Sequence, residues 1–277
     1  MVALTPLFVV FAGLLGLAVG SFLNVVAYRV PARISLTRES RCPHCDTAIA
    51  AKYNVPVIGW LALRGRCANC GAAISKRYPI VEALTGLSFA VLVLFFLTAF
   101  ADEAWAESPW ALGILVVAYL YFAAISIVLT LIDLDTHRLP NVIVLPSYLV
   151  AGVLLTIAAW LSSDWPSLVR AAIGMAVLYA FYFLLRLVRP GGMGGGDVKL
   201  AGVIGLYLGW LGWGALAVGA FFAFVYGGVF GIALLIARRA GRRTAIPFGP
   251  WMILGAWTGV FAGESIGRAY LSLYTGS

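Results

Sequence analysis

Long apolar stretches alternate with short polar segments along almost the whole chain. Several stretches have the roughly 20 residues that a helix needs to cross a bilayer. One apolar run, 199–237, is too long for a single crossing, and the glycines near its middle supply turn chemistry that divides it. The pattern predicts an all-α polytopic membrane protein with about eight spans, at 4–27, 80–100, 111–133, 142–161, 168–188, 199–213, 214–237 and 248–270.

The composition supports this fold class. Of the 277 residues, 62% are hydrophobic and only 11% are charged, whereas soluble domains carry about 25% charged residues. An ordinary soluble domain is therefore excluded. The first apolar stretch has no positively charged residue before it and is longer than the core of a secretory signal peptide, so we interpret it as a retained helix.

The net charge of +8 is distributed as a topology signal. All basic residues except Arg170 and Arg268 lie in or beside alternate loops, as the positive-inside rule describes. This placement argues against a nucleic-acid partner. It predicts that both termini lie outside and that the cytoplasmic loops are 28–79, 134–141, 189–198 and 238–247.

The loop 28–79 contains two Cys-x-x-Cys pairs. Cys42 and Cys45 form the first, Cys67 and Cys70 the second, and 21 residues separate them. Two such turns can present four thiolates to one tetrahedral zinc ion. A disulfide or a redox dithiol is the alternative, but a reducing cytoplasm disfavours stable disulfides. We predict a small zinc-ribbon-like domain that depends on its metal to fold, with His44 exposed on a turn.

Four acidic residues lie near the ends of the apolar stretches, where ionisable groups are costly and often functional. They are Glu82, Asp133, Asp197 and Glu264. Asp133 ends the third predicted span and Asp197 opens the sixth, so the predicted topology delivers both to one membrane face. Two carboxyls at close range cannot both ionise easily. One can then act as general base and the other as general acid in peptide hydrolysis.

The residues around these aspartates suit such a site. Gly194, Gly195 and Gly196 would let the backbone approach a substrate closely and adopt angles forbidden to other residues. Pro140 would fix the chain where it re-enters the membrane. From the residues alone, however, helix capping remains open for both aspartates, and so does a proton or ion relay in a transporter or channel. Lys199 would then simply snorkel.

Four ordered motifs resemble the bifunctional type IV prepilin peptidases, membrane aspartic proteases with a Gly-x-Gly-Asp motif. The opening segment 20–31 resembles the start of that family. The two cysteine pairs, followed by Arg77-Tyr-Pro-Ile-Val-Glu-Ala-Leu-Thr-Gly86, resemble its cytoplasmic domain. Asp133 with Pro140-Asn141 resembles the first catalytic motif, and Gly194-Gly-Gly-Asp-Val-Lys199 the second.

The resemblance implies that Asp133 and Asp197 are the catalytic pair, with Asp135 in a supporting or solvated role. Gly194–Gly196, Lys199, Pro140 and Asn141 would support the loops and the substrate. The implied substrates are type IV prepilins and pseudopilins, which have a short basic leader before an apolar helix. The implied location is the bacterial inner membrane, with the active site facing the cytoplasm.

The same resemblance implies a second activity, N-methylation of the new amino terminus with S-adenosylmethionine as donor. Glu82 is the ionisable residue that we associate with it, although a snorkelling or capping role is an alternative. Asn24 could take part in the same activity or could equally make a polar contact between helices. The expected organisation is a first transmembrane helix at 1–27, a zinc-binding, methyltransferase-associated domain at 28–79 and a transmembrane peptidase domain at 80–277. A non-enzymatic assembly platform is a third alternative.

Overall fold

Helices make up the regular structure of this protein. The computed structural model describes residues 4–100, 108–189, 193–237 and 247–275, and apart from two isolated β-bridges these ranges contain only helical elements. A 3₁₀ turn covers Ala51–Tyr53. Within these ranges lie nine α-helices: α1 (Thr5–Ala32), α2 (Ile58–Ala62), α3 (Arg77–Ala99), α4 (Pro109–Thr136), α5 (Asn141–Ser162), α6 (Trp165–Val188), α7 (Gly195–Leu211), α8 (Trp213–Ile236) and α9 (Gly249–Thr275).

The prediction of a helical membrane protein is confirmed in its coarser form. Every predicted apolar stretch coincides with a long helix, and six of these helices are long and apolar enough to cross a membrane: α1, α3, α4, α5, α6 and α8. The number eight is not established by length and composition. Helix α7 has only 17 residues, and α9 contains Glu264 and Arg268 in its second half.

The chain divides into two compact units. The first comprises Met1–Ala106 with Tyr119–Val128, and the second comprises Glu107–Ala118 with Leu129–Ser277. In the first unit α1 packs along α3. Small residues allow this contact, because a Cβ built on Gly16 would lie 2.7 Å from the backbone oxygen of Thr85. Phe89 and Phe96 of α3 are buried in this unit.

Two polar side chains of α1 are buried in the first unit. The Asn24 amide donates to the backbone oxygen of Tyr78 in α3, at 3.2 Å, so the interpretation of Asn24 as a helix–helix contact is confirmed. The Arg29 guanidinium donates to four backbone oxygens of the segment 35–39. A buried cation is thereby satisfied by backbone dipoles, and the chain leaving α1 is wrapped around it.

Helix α7 is the centre of the second unit. It contacts α5, α6, α8 and α9, and every residue from 200 to 210 is buried. Glycines bring its backbone against α6: a Cβ on Gly209 would lie 3.0 Å from the Cα of Ala171, and one on Gly205 would collide with the oxygen of Gly174. A helix enclosed by other helices at such short range has one well-defined position.

The predicted break between the sixth and seventh spans is confirmed at Gly212. A Cβ at this position would collide with the Glu264 carboxylate. That carboxylate accepts the Ala215 N–H at 3.1 Å, at the start of α8. On the other side, the Arg170 guanidinium donates to the oxygens of Gly209 and Trp210, at 2.7 and 2.6 Å. Both residues therefore satisfy helix-terminal backbone groups, which gives Glu264 a structural role.

The close contact between α6 and α7 predicts a strong effect of one added methyl group. Gly205→Ala should lower the free energy of unfolding by about 1–3 kcal/mol, because its Cβ meets the backbone of Gly174 and neither helix can yield locally. Thermal unfolding of the purified protein in detergent measures this. Gly152→Ala in α5 is the matched control, since a Cβ there has no neighbour within 4 Å. Equal stability of the two variants would contradict the packing described here.

Candidate active site

Asp133 is a buried carboxylate in the last turn of α4. It is only 4% exposed, and its Oδ2 accepts the backbone N–H of Gly249 at 3.0 Å. Gly249 is the first residue of α9, and the N–H groups in the first turn of a helix have no acceptor within that helix. The local positive potential of a helix start also favours a carboxylate. Asp133 therefore has a backbone donor in place of water.

Asp197 lies in the first turn of α7. Its Oδ2 accepts the N–H of Gly194, which precedes the helix, at 3.0 Å. This is the half of a capping box that a glycine at the N-cap position permits. The capping role considered for Asp197 is thus real, and within the described residues it engages only Oδ2 of the carboxylate.

The structure brings Asp133 and Asp197 into one site. Leu139 links their surroundings, because its Cβ lies 2.8 Å from a Cβ built on Gly196, and its Cδ1 lies 3.5 Å from one built on Gly249. Gly196 precedes Asp197, and Gly249 donates to Asp133. The two carboxylates are near enough to interact electrostatically. Carboxylates that are 64 residues apart in sequence therefore lie in the same region, at one end of the second unit.

An aromatic residue on the Asp197 side of the site was not anticipated from the sequence. Tyr182 of α6 is buried and lies near Asp197. Its ring lies 6.3 Å from that of Phe248, which directly precedes Gly249. Gly249 was also missed, although the Gly249-Pro250 dipeptide before the last apolar stretch is a turn signal.

The three glycines before Asp197 allow neighbouring atoms to come close to the backbone. They do not adopt unusual backbone angles. Gly194 has φ −70° and ψ 149°, and none of the three has a positive φ, so that part of the prediction was wrong. A side chain would instead collide. A Cβ on Gly194 would lie 2.8 Å from Asp197 Oδ2, and one on Gly195 would lie 2.5 Å from the Arg186 guanidinium.

The other residues assigned to loop support lie beside the aspartates. Pro140 is the N-cap residue of α5, with φ −70° and ψ 130°, and Asn141 is the first residue of that helix. The Lys199 ammonium donates to the Asn141 side-chain oxygen at 2.9 Å. Lys199 is therefore engaged within the protein and does not simply snorkel. Asp135 is exposed.

The four cysteines form one cluster built from a repeated turn. In the first turn the N–H of Asp46 donates to the Cys42 oxygen at 2.9 Å, and in the second Gly71 donates to Cys67 at 3.0 Å. Both donors have positive φ, 51° and 71°. Each turn is closed by an isolated antiparallel bridge, Arg41 with Ala48 and Arg66 with Ala73. His44 is exposed, as predicted.

The sulfur positions fit a tetrahedral metal site. The four Sγ atoms lie within 4.8 Å of one another, and Cys42 and Cys70 are 3.9 Å apart. Zinc–sulfur bonds of about 2.3 Å place tetrahedral sulfurs about 3.8 Å apart. Hydrogen bonds with Thr47, and a further one from Asn69, lower the pKa of Cys45 to about 6. This favours the thiolate at Cys45, the form that binds metals, whereas the pKa of Cys70 in the same cluster is raised to about 11.

Glu82 is buried in the first unit and holds a strained turn. Its Oε2 accepts the N–H of Val57 at 2.6 Å. Val57 has φ 61° and ψ −51°, and the Ile58 N–H donates to the Pro56 oxygen at 2.6 Å across it. This is a γ-turn of the rare positive-φ form. A β-branched residue in such a conformation persists only where its surroundings impose it, and Glu82 provides the imposing contact.

Known proteins resemble the chain over nearly its full length. Residues 14–96 match the bacterial peptidase A24 N-terminal domain, and residues 120–236 match the type IV leader peptidase family. The chain is 36% identical to the prepilin leader peptidase/N-methyltransferase of Stutzerimonas stutzeri, over 95% of this chain and 94% of the relative. The chain belongs to the type IV leader peptidase family.

Further relatives are similar to most of the chain. The prepilin leader peptidase/N-methyltransferase of Pseudomonas aeruginosa is 34% identical over 95% of this chain and 93% of its own length. That of Myxococcus xanthus is 38% identical over 86% and 67%. No solved structure matches the chain. The leader peptidase match contains both Asp133 and Asp197, and the N-terminal match contains the four cysteines and Glu82.

Proposed function

We propose that this protein cleaves the basic leader from type IV prepilins and pseudopilins and then N-methylates the new amino terminus. One observation supports the peptidase proposal: Asp133 and Asp197, on different helices, lie within electrostatic range of each other in a chain that belongs to the type IV leader peptidase family. Its relatives are named for both activities.

The aspartate pair supplies the acid and base of the hydrolysis. One ionised carboxylate takes a proton from a water molecule as the water oxygen attacks the scissile carbonyl. The partner, in its protonated form, donates to the carbonyl oxygen. When the tetrahedral intermediate collapses, the C–N bond breaks and the leaving amine receives a proton from the pair. The backbone N–H groups of Gly194 and Gly249 orient the two carboxylates during these transfers.

We propose eight membrane crossings, with the site at the cytoplasmic face of the bacterial inner membrane. Successive crossings alternate in direction, so the end of α4 and the start of α7 lie at the same face. Helix α9 supports an eighth crossing, because Gly255, Gly259 and Gly263 bring it against α8 at backbone distance, as in membrane helix pairs. The predicted arginine cluster at 238–243 lies outside the described residues.

The position of the aspartates disfavours a proton or ion relay. A relay across the bilayer needs ionisable groups at successive depths. Asp133, in the last turn of α4, and Asp197, in the first turn of α7, would instead lie at one depth. An assembly platform would require no carboxylate pair at all. We therefore retain the peptidase as the function of the second unit, and propose residues 80–277 as the peptidase domain following a first transmembrane helix at 1–27.

We propose that residues 28–79 form a structural zinc domain that serves methyl transfer. Four thiolates complete the coordination of zinc and leave no open position for catalysis. S-adenosylmethionine would supply an electrophilic methyl group to the new amino terminus. In this unit Glu82 contributes by position, since its carboxylate holds the turn at Val57.

The aspartates are tested by isosteric substitution. Asp133→Asn and Asp197→Asn should each lower the rate of leader cleavage roughly 100- to 10,000-fold, because an amide neither accepts nor donates the transferred proton. Cleavage of a full-length prepilin in detergent or liposomes measures this. Asp135→Asn, at an exposed neighbour, is the control and should cleave normally. If either catalytic-pair variant still processed the prepilin, the peptidase proposal would be wrong.

Zinc binding is tested by metal analysis. The purified protein should contain about one zinc per chain. Replacing Cys67 and Cys70 by Ser should release the metal and expose the segment 28–79 to proteolysis, since so small a loop depends on its metal. His44→Ala should retain zinc, because that side chain is exposed and its nitrogens are not among the clustered ligand atoms. A metal-free wild-type protein with four free thiols would refute the assignment.

The positional role of Glu82 predicts a difference between two substitutions. Glu82→Gln keeps a side-chain oxygen for the Val57 N–H, so it should retain most of the methylation rate, whereas Glu82→Ala should lose most of it. Mass measurement of the product terminus separates methylation from cleavage, which both variants should retain. Glu39→Gln, at an exposed site, is the charge control. If Glu82→Gln were as defective as Glu82→Ala in a folded protein, Glu82 would act through its charge.

A further inference from the structure

Lys199 connects the two catalytic segments by more than one contact. Its ammonium donates to Asn141 Oδ1 at 2.9 Å, and its backbone oxygen accepts the Tyr148 hydroxyl at 2.5 Å. Asn141 and Tyr148 both belong to α5, the helix that follows the Asp133 segment. Lys199 belongs to α7 and lies two residues after Asp197. The start of α5 is thus tied to the start of α7 at two heights.

The sequence around these contacts allows them to be short. A Cβ on Gly202 would collide with the Tyr148 hydroxyl, so the tyrosine reaches the α7 backbone only because residue 202 has no side chain. The bond between Lys199 and Asn141 is exposed, but its charged donor makes it stronger than a hydrogen bond between two neutral groups. Both contacts therefore depend on the local shape of α7 as well as on the side chains that make them.

These contacts bear on the aspartate pair through a short stretch of chain. Leu139, two residues before Asn141, lies against Gly196 and close to Gly249, as described above. Leu139 lies between Gly196, next to Asp197, and Gly249, which donates to Asp133. A shift of α5 relative to α7 would displace Leu139 from this position. Such a shift changes the separation of the carboxyl groups, on which the sharing of one proton depends.

We propose that Lys199, Asn141 and Tyr148 form a clamp that sets the separation of Asp133 and Asp197. They are positioning residues, and the Lys199 charge acts on Asn141 and not on the reacting atoms. The inference rests on the proposed peptidase function. Displacement of a catalytic group by about 1 Å costs up to roughly 100-fold in rate, so the clamp should govern the chemical step while substrate binding stays nearly unchanged.

The test removes either the donor or the acceptor of the hydrogen bond between Lys199 and Asn141. Lys199→Met and Asn141→Leu should each lower kcat for prepilin cleavage roughly 10- to 100-fold with little change in KM. The double variant should be no slower than the slower single variant, because both substitutions remove the same bond. Asn141→Asp keeps an acceptor for the Lys199 ammonium, so its kcat should be close to that of the wild-type protein, unlike that of Asn141→Leu. Tyr148→Phe should produce a smaller loss of the same kind.

The controls separate this proposal from a charge effect and from misfolding. Arg189→Met removes an exposed cation at the same end of the molecule and should leave kcat unchanged. The pH profile of kcat should change alike in Lys199→Met and Asn141→Leu. A shifted acid limb in Lys199→Met alone, additive losses in the double variant, or no rescue by Asn141→Asp would each overturn the clamp.

Failure of the clamp and failure of the peptidase function are distinguishable. If Asp133→Asn still cleaved the prepilin, the function itself would be wrong. If Asp133→Asn were inactive and Lys199→Met cleaved at the full rate, only the clamp would be wrong. Thermal unfolding of each variant, compared with Arg189→Met, shows whether a lost rate reflects a lost fold.

Discussion

A carboxylate that is removed from water needs a replacement for its hydration, and this requirement shapes the site. Asp133 and Asp197 each obtain a backbone N–H from a glycine at or just before the start of a helix. Such donors are available because the first turn of a helix has no internal acceptor for them. The position of the carboxylates is therefore inseparable from where α7 and α9 begin. The residues that define those starts, Gly194 and Gly249, belong to the site as much as the aspartates do.

The helix starts are in turn held by packing that only glycine permits. Without a strong hydrophobic driving force between helices inside a bilayer, close van der Waals contact is what holds them together. Gly205 and Gly209 bring α7 against α6, and Gly255 and Gly259 bring α9 against α8. Helix α7 is consequently enclosed on most sides. A short helix with close neighbours on most sides moves little, which suits a segment that carries one member of a carboxylate pair.

The first unit solves a different problem, that of ordering a polar loop too small for a core of its own. Two repeated turns bring the four sulfurs within bonding distance of one metal ion, while Arg29 gathers four carbonyl groups of the chain that precedes them. Glu82 then fixes the segment between the cysteine pairs to α3 through the turn at Val57. A four-cysteine cluster that could hold a metal ion, the buried Arg29 cation and the Glu82 carboxylate thus take the place of a hydrophobic core.

The sequence by itself determined the helical membrane class, the boundaries of most helices, the break at Gly212 and the four-cysteine cluster, because apolar length, turn residues and Cys-x-x-Cys spacing are local signals. It also singled out Asp133 and Asp197, since a carboxylate beside an apolar helix is conspicuous wherever it occurs. Only the tertiary structure decided what each polar residue touches. Gly249 reaches Asp133, and Leu139 and Tyr148 reach the start of α7, across large separations in sequence. Glu264 and Arg170 cap helices. Such contacts depend on how glycine-lined helix surfaces meet, and that depends on three-dimensional packing which no spacing along the chain records.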